Sequence, residues 1–375
     1  MHRRKILTSA LAGLGAMTLA ACGGDSSSDL PASVADRAKR KGSSSTPASS
    51  TTAASPPAAA SSTTAASSGN ETVLTDTSFG VKGDGTTNDR VALQNAIDGS
   101  VGKVLLITGK SRIDVKGLDL RTNTHIRFAT GASIKLLAHN SSSYQMMRIW
   151  DVSNVVVENA YLDGSKELNS ATNNPNGDAN GVGFSICGAS NVTLTAPTTI
   201  SMWGDGIYLA NSWYTVTTPP SNVTVTNHVA SGCRRQGVSI TSGKNITFQS
   251  PNWSNISGSL PCAGLDIEPD NNNAVLQNIS IVSPVTNNCQ YGVLIYLGAL
   301  AGPNAQNISI TITNHHDTGA RHAGMEIGGG SWNGYSVKGN ITVTSPTYTK
   351  AAYGYELDTW QSGGPTISVT NITQN

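Results

Sequence analysis

Residues 206–209 read Gly206-Ile207-Tyr208-Leu209, and five near copies follow: GVSI at Gly237, GLDI at Gly264, GVLI at Gly292, GMEI at Gly324 and GYEL at Gly354. The six glycines are 31, 27, 28, 32 and 30 residues apart. Self-similarity in this range marks a solenoid, whose repeats bury their apolar faces against one another. A second series keeps step with the first: NVTL at Asn191, NVTV at Asn222, NITF at Asn245, NISI at Asn278, NISI at Asn307 and NITV at Asn340. Each member precedes its glycine partner by 14 to 19 residues. Both series alternate apolar and variable positions, so both predict short strands with one buried face. Gly and Asn at the strand starts predict chain that turns with positive φ. A parallel α/β sheet would need a crossover helix in every repeat, and no helical pattern stands between these strands. The predicted fold is all-β: a right-handed parallel β-helix.

Parity separates its inside from its outside. One residue after each glycine stand Ile207, Val238, Leu265, Val293, Met325 and Tyr355; three after stand Leu209, Ile240, Ile267, Ile295, Ile327 and Leu357. All twelve suit a stacked core. Positions two and four after the glycine then point outward. They form two rows on one sheet face: Tyr208, Ser239, Asp266, Leu294, Glu326, Glu356, and Ala210, Thr241, Glu268, Tyr296, Gly328, Asp358. Neighbouring coils are about 4.8 Å apart, so nine or ten coils predict a rod about 45 Å long.

The folded part is shorter than the 375-residue chain. Residues 1–22 carry Arg3, Arg4 and Lys5, an apolar run, and then Leu19-Ala20-Ala21-Cys22, which resembles a bacterial lipobox. That resemblance implies export and a lipid anchor on Cys22, holding the protein to a bacterial membrane in the cell envelope. Residues 23–69 are rich in Ser, Thr, Ala and Pro and predict a disordered tether. Residues 70–375 then form the β-helix domain. Lys and Arg number 24 against 23 Asp and Glu, without the basic excess a nucleic-acid binder needs. Cys187, Cys233, Cys262 and Cys289 match no zinc spacing. The last three precede successive glycines, and an exported chain permits one disulfide among them.

Ahead of the repeats, residues 77–98 read TSFGVKGDGTTNDRVALQNAID. Thr87 or Asn88 is expected to cap a short helix with Ala92, Leu93, Ala96 and Ile97 on its apolar face, sealing the open end of the solenoid. The stretch resembles the N-terminal signature of the pectate-lyase-like superfamily, which includes rhamnogalacturonases, epimerases and phage tailspikes. Ser78 and Asn88 replace acidic residues of that signature. GKVLLITGKSRID from Gly102 and NTHIRFATGASIKL from Asn123 continue the resemblance, which covers residues 73–163 in order. It implies the fold and activity on carbohydrate. The polygalacturonase motifs Asn-Thr-Asp, Asp-Asp, Gly-His-Gly and Arg-Ile-Lys are absent, as is the motif of the alginate epimerases, so no catalytic role carries over by residue.

The chemistry must therefore be sought in the rows. GLDIEPD puts Asp266 and Glu268 outward at i and i+2, with Asp270 next in the same parity. Their Cα atoms are expected about 6.5–7 Å apart. That is near the separation with which inverting glycosidases place an acid and a base about a sugar and a water. Asp205 and Arg235 complete the expected catalytic set. Tyr208, Arg234 and Tyr296 are expected on substrate, because aromatic rings stack on sugars and arginine holds a sugar carboxylate in two bonds. Glu326 and Glu356, with Asp358, form a second acidic group, the two glutamates also expected on substrate, with Arg321 and His322 just before; ion pairing to Arg321 is the plainer account of it. For Asp266 and Glu268 the plainer account is a solvated charge ladder, although like charges at i and i+2 do not favour stability.

The expected activity is hydrolysis of an acidic polysaccharide without a cofactor. The alternatives are a lyase or uronate C5-epimerase on the same groove, with Ca²⁺ on the carboxylates and Arg234 or Arg235 as base, or a glycan-binding surface protein without catalysis. Trp203, Trp213, Trp253 and Trp332 line subsites or cover sheet edges. His315-His316-Asp317 reads as a loop or surface pair rather than a metal fragment.

Overall fold

The computed structural model describes residues 71–172, 179–332, 334–358 and 363–375, without the side chains of Trp332 and Asp358. The expected signal with Cys22 and the expected tether lie outside the described residues. From Thr72 onward the described chain belongs to one compact unit.

Each coil gives one strand in turn to three parallel sheets, of eleven, eleven and nine strands. The asparagine series lies in the first sheet, where Ser190–Thr195 pairs with Ser153–Glu158 on one side and Ser221–Thr226 on the other. Short strands such as Val229–Ser231 and Asn252–Ser254 make the second sheet. The glycine series lies in the third, whose register aligns Ile207, Val238, Leu265, Val293, Met325 and Tyr355 across six coils. Eleven strands exceed the nine or ten coils expected. One N-terminal coil is shorter than the repeat period, only 21 residues separating the partners Val104 and His125.

The inward rows pack as parity requires. Ile207, Val238, Leu265, Val293 and Met325 are fully buried, and so are Leu209, Ile240, Ile267, Ile295 and Ile327. Each such side chain contributes about 1.5–3 kcal/mol by burial. In the last coil Tyr355 is half-buried and Leu357 exposed. The two strand-start residues act differently from one another. Asn191, Asn222, Asn245 and Asn278 have positive φ as expected, between 53° and 55°. Their amides form a ladder from coil to coil, Asn278 to Asn245 to Asn222 to Asn191 to Asn154, with bonds of 2.9–3.1 Å. The glycines of the third sheet are there instead for close approach. A Cβ on Gly292 would lie 2.4 Å from the Gly324 carbonyl oxygen, and one on Gly264 would lie 2.7 Å from that of Gly292.

Four other expectations are corrected. The helix Arg90–Gly99 has Asp89 at its cap position and Thr87 and Asn88 lie in the strand Asp84–Asn88, although the Asn88 amide oxygen does accept from the first helical amide, that of Arg90, at 3.2 Å. The Asp89 carboxylate accepts from the Lys82 and Gly83 amides, while Leu93, Ala96 and Ile97 are buried against the end of the solenoid. None of the four described cysteines is in a disulfide, and all are buried. Cys233 and Cys289 lie two coils apart, about 10 Å, beyond the ~7 Å a disulfide spans. The Cys262 thiol donates to the Ser259 carbonyl at 2.9 Å. His315 and Asp317 are core residues, joined through the Thr286 hydroxyl at 2.8 and 2.6 Å; only His316 faces out. Trp253 is fully buried, donating to His228 Nδ1 at 3.1 Å, and covers no edge.

Candidate active site

The outward face of the third sheet is where the sequence rows meet, and the register sets them side by side as expected: Tyr208, Ser239, Asp266, Leu294, Glu326, Glu356. The row is not solvated, however. Tyr208, Ser239, Asp266, Leu294 and Glu326 are all buried. At one end Tyr208 packs with Val182, Cys187, Ala210 and Trp150 in a second apolar cluster outside the solenoid core. The rings of Trp150 and Trp213 stand 6.3 Å apart beside it.

Asp205, just before the strand Ile207–Ala210, is fully buried. The Arg235 guanidinium grips it in two bonds, Nε to Oδ1 at 2.9 Å and Nη2 to Oδ2 at 2.5 Å, and the Ser239 hydroxyl donates to Oδ2 at 2.9 Å. Burial opposes the charge on Arg235, but the Asp205 carboxylate more than offsets it and raises the guanidinium pKa above its already high value. Arg234 is also buried, its guanidinium 4.4 Å from the centre of the Trp203 ring. Both arginines expected at substrate are thus engaged within the protein.

The carboxyls of GLDIEPD come together in the next coil. Asp266 Oδ2 accepts from the Gln236 amide at 2.9 Å. Asp266 Oδ1 is buried with no hydrogen-bond partner among the described residues. The charges of the two neighbouring carboxyls oppose one another, which favours a proton on the pair. Burial, and then the charge of Glu268, push Asp266 well above the usual carboxylate range. Burial and the neighbouring Asp270 push Glu268 up to about 7. Asp270 is raised by burial to about 6, while Thr241, Arg235 and Tyr208 oppose the rise; the Tyr208 hydroxyl donates to it at 3.3 Å. All three carboxyls in the row are thus raised toward neutral pH. Tyr296 is half-buried at the end of the strand Tyr291–Tyr296, which pairs alongside the strand before Glu268.

Glu326 and Glu356 form a separate group, divided from Asp266 by Leu294. Arg321 does not pair with them; it donates to the carbonyls of Asn288 and Ile256, each at 2.7 Å. Their partner is His322, whose Nε2 is 3.2 Å from Oε2 of each glutamate. His322 was named in the sequence without a role. It lies four residues before Glu326 on the same strand parity, the signal that could have joined them. The ligating atoms of the three residues lie within 4.8 Å of one another, the arrangement a metal ion needs. The Asp358 side chain lies outside the described residues.

No family model and no curated protein matches the chain. Among solved structures it is similar to a 1,3-α-1,4-β-D-galactose-4-sulfate-3,6-anhydro-D-galactose-2-sulfate 4 galactohydrolase, with 13% identity and a TM-score of 0.56, over 81% of this chain and 91% of that one. It is also similar to a mutant tailspike protein of E. coli bacteriophage HK620 in complex with a hexasaccharide, with 13% identity and a TM-score of 0.55, over 77% of this chain and 53% of the tailspike. The A-module of a mannuronan C-5 epimerase from Azotobacter vinelandii matches at 17% identity with a TM-score of 0.48, over 80% of this chain and 99% of the module. At such identities the likeness is one of fold, and the fold is the right-handed parallel β-helix.

Proposed function

We propose that this protein cleaves a polysaccharide by hydrolysis, with Asp266, Glu268 and Asp270 as its acid–base machinery. The observation that carries this is the buried row of three carboxyls, raised so that Glu268 and Asp270 titrate on either side of pH 6.5. A general acid must still hold its proton at working pH, and a general base must have lost its own. Glu268, more exposed than Asp266, gives its proton to the glycosidic oxygen as the C–O bond breaks. Asp270, oriented by Tyr208, takes a proton from the water that attacks the sugar carbon. Asp266 positions Glu268 and holds its proton in place. The base here is Asp270 because it is the less raised of the two, at about 6 against about 7 for Glu268.

Two of the fold neighbours support a carbohydrate substrate: one is a galactohydrolase and one was solved with a hexasaccharide. The expectation of an acidic substrate rested on Arg234 and Arg235, and both are occupied elsewhere. The lyase alternative asked one of them to act as a base, and the fork of Arg235 closed on Asp205 speaks against that. On the reading of residues 1–22 as a lipoprotein signal, the enzyme is exported and tethered through Cys22 at the cell envelope.

The test is turnover on a panel of acidic and neutral polysaccharides by the wild type and by Asp266→Asn and Glu268→Gln, with the fold checked by circular dichroism. Loss of at least about a hundredfold in both folded variants is expected. Unchanged turnover in either would remove that residue from the mechanism. Glycan binding that persists in all three proteins without turnover would make this a binding protein.

A further inference from the structure

Outside the carboxyl row, the described residues hold one further group of this kind: His322, Glu326 and Glu356. Glu326 and Glu356 are register partners on adjacent strands, and His322 lies four residues before Glu326 on the same face. The Glu326 side chain is only 4% exposed. Its Oε2 and that of Glu356 are buried and have no hydrogen-bond partner among the described residues. Both instead face the same atom, His322 Nε2, at 3.2 Å. One imidazole nitrogen carries a single hydrogen or a single lone pair, so it cannot satisfy both oxygens. Two anionic oxygens and a nitrogen converging on one point make a place for a positive charge.

We propose that His322, Glu326 and Glu356 bind a divalent transition-metal cation of the zinc class. The two distances from His322 Nε2, 3.2 Å each, fit the chemistry. Zinc bonds to nitrogen and oxygen are about 2.0–2.2 Å long, which puts neighbouring ligand atoms roughly 3.0–3.4 Å apart in tetrahedral to octahedral geometry. Ca²⁺ takes six to eight oxygen ligands at longer range, and a histidine nitrogen does not suit it. The ligands are held firmly. Two come from paired strands, and the His322 ring is set between Tyr291 and Tyr353, with centroids 5.0 and 5.4 Å away. Glu356 is 38% exposed, so the cation is reachable from solvent and keeps an open position for water or a substrate oxygen. The site lies two coils from Asp266 in the same row, about 10 Å along the axis. There it would restore a positive charge to a row whose arginines are engaged.

The experiment is isothermal titration of Zn²⁺ into the chelator-treated protein, with Co²⁺ absorption as an optical readout. One equivalent of Zn²⁺ should bind. Affinity should fall about a hundredfold or more in His322→Ala and in Glu356→Gln, together with the Co²⁺ band. Glu356 is half-exposed, so its variant keeps the fold and the test does not depend on the histidine variant alone. No stoichiometric Zn²⁺ or Co²⁺ binding by the wild type would overturn the proposal. So would binding of unchanged affinity in both variants, or binding of Ca²⁺ alone.

Discussion

Replacing Glu268 with glutamine should make the protein more stable above neutral pH while it destroys activity. Burial and Asp270 raise the Glu268 carboxyl from its ordinary 4.5 to about 7. Below pH 4.5 the group is protonated in the folded and the unfolded chain alike, and it adds no pH dependence. As pH rises from there toward 7, the unfolded chain releases its proton and the folded one does not, so stability falls. Above 7 the folded protein carries the full cost of a buried charge, about 3 kcal/mol. Glutamine has the same shape and no charge, so its variant escapes that cost. Urea unfolding at pH 4.5 and pH 8 should show the variant gaining ~3 kcal/mol on the wild type between the two, or roughly 6 °C in thermal midpoint. Stability profiles that run parallel in the two proteins would refute the claim that Glu268 is held protonated.

Three other outcomes follow from the same structure. The rate on a cleaved glycan should be bell-shaped in pH, rising as Asp270 ionises near 6 and falling as Glu268 loses its proton near 7; a flat profile from pH 5 to 9 would contradict the assignment. Gly292→Ala should lower stability by about 1–3 kcal/mol in thermal unfolding, because the added carbon meets the Gly324 carbonyl of the next coil; a change within ~0.5 kcal/mol would mean the coils can spread. Burial pushes the Cys233 and Cys289 thiols up to about 12, so alkylating reagents at pH 8 should leave them unmodified until the protein unfolds. Reaction in the native state, or a disulfide by mass, would contradict their burial.

The fold was legible because a solenoid writes its geometry into sequence as a period. Alternation after Gly206 and its five copies separated core from surface, and the register later paired those same residues. What the period did not carry was the reason for the glycines. Positive φ and close approach both select glycine from a sequence, and only the coil spacing separates them. The site was legible in part. Parity put Asp266, Glu268 and Glu326 on one face, but it assumed that an outward face is a wet one. It also assumed that an arginine near a carboxylate is free for substrate, whereas Arg235 is spent on Asp205. Side-chain direction decided the remaining cases. His322, named without a role, turns onto two glutamates, and Arg321, the expected partner, turns away to backbone carbonyls.

The central claim is that the carboxyl row hydrolyses a polysaccharide, and its most direct test is the chemistry of the product ends. The purified protein is incubated with each glycan of the panel, and new ends are assayed for reducing sugar and for unsaturated uronate absorption. The account predicts new reducing ends with no unsaturated uronate, made by the wild type and not by Glu268→Gln. Unsaturated ends, or reducing ends produced equally by that variant, would contradict it.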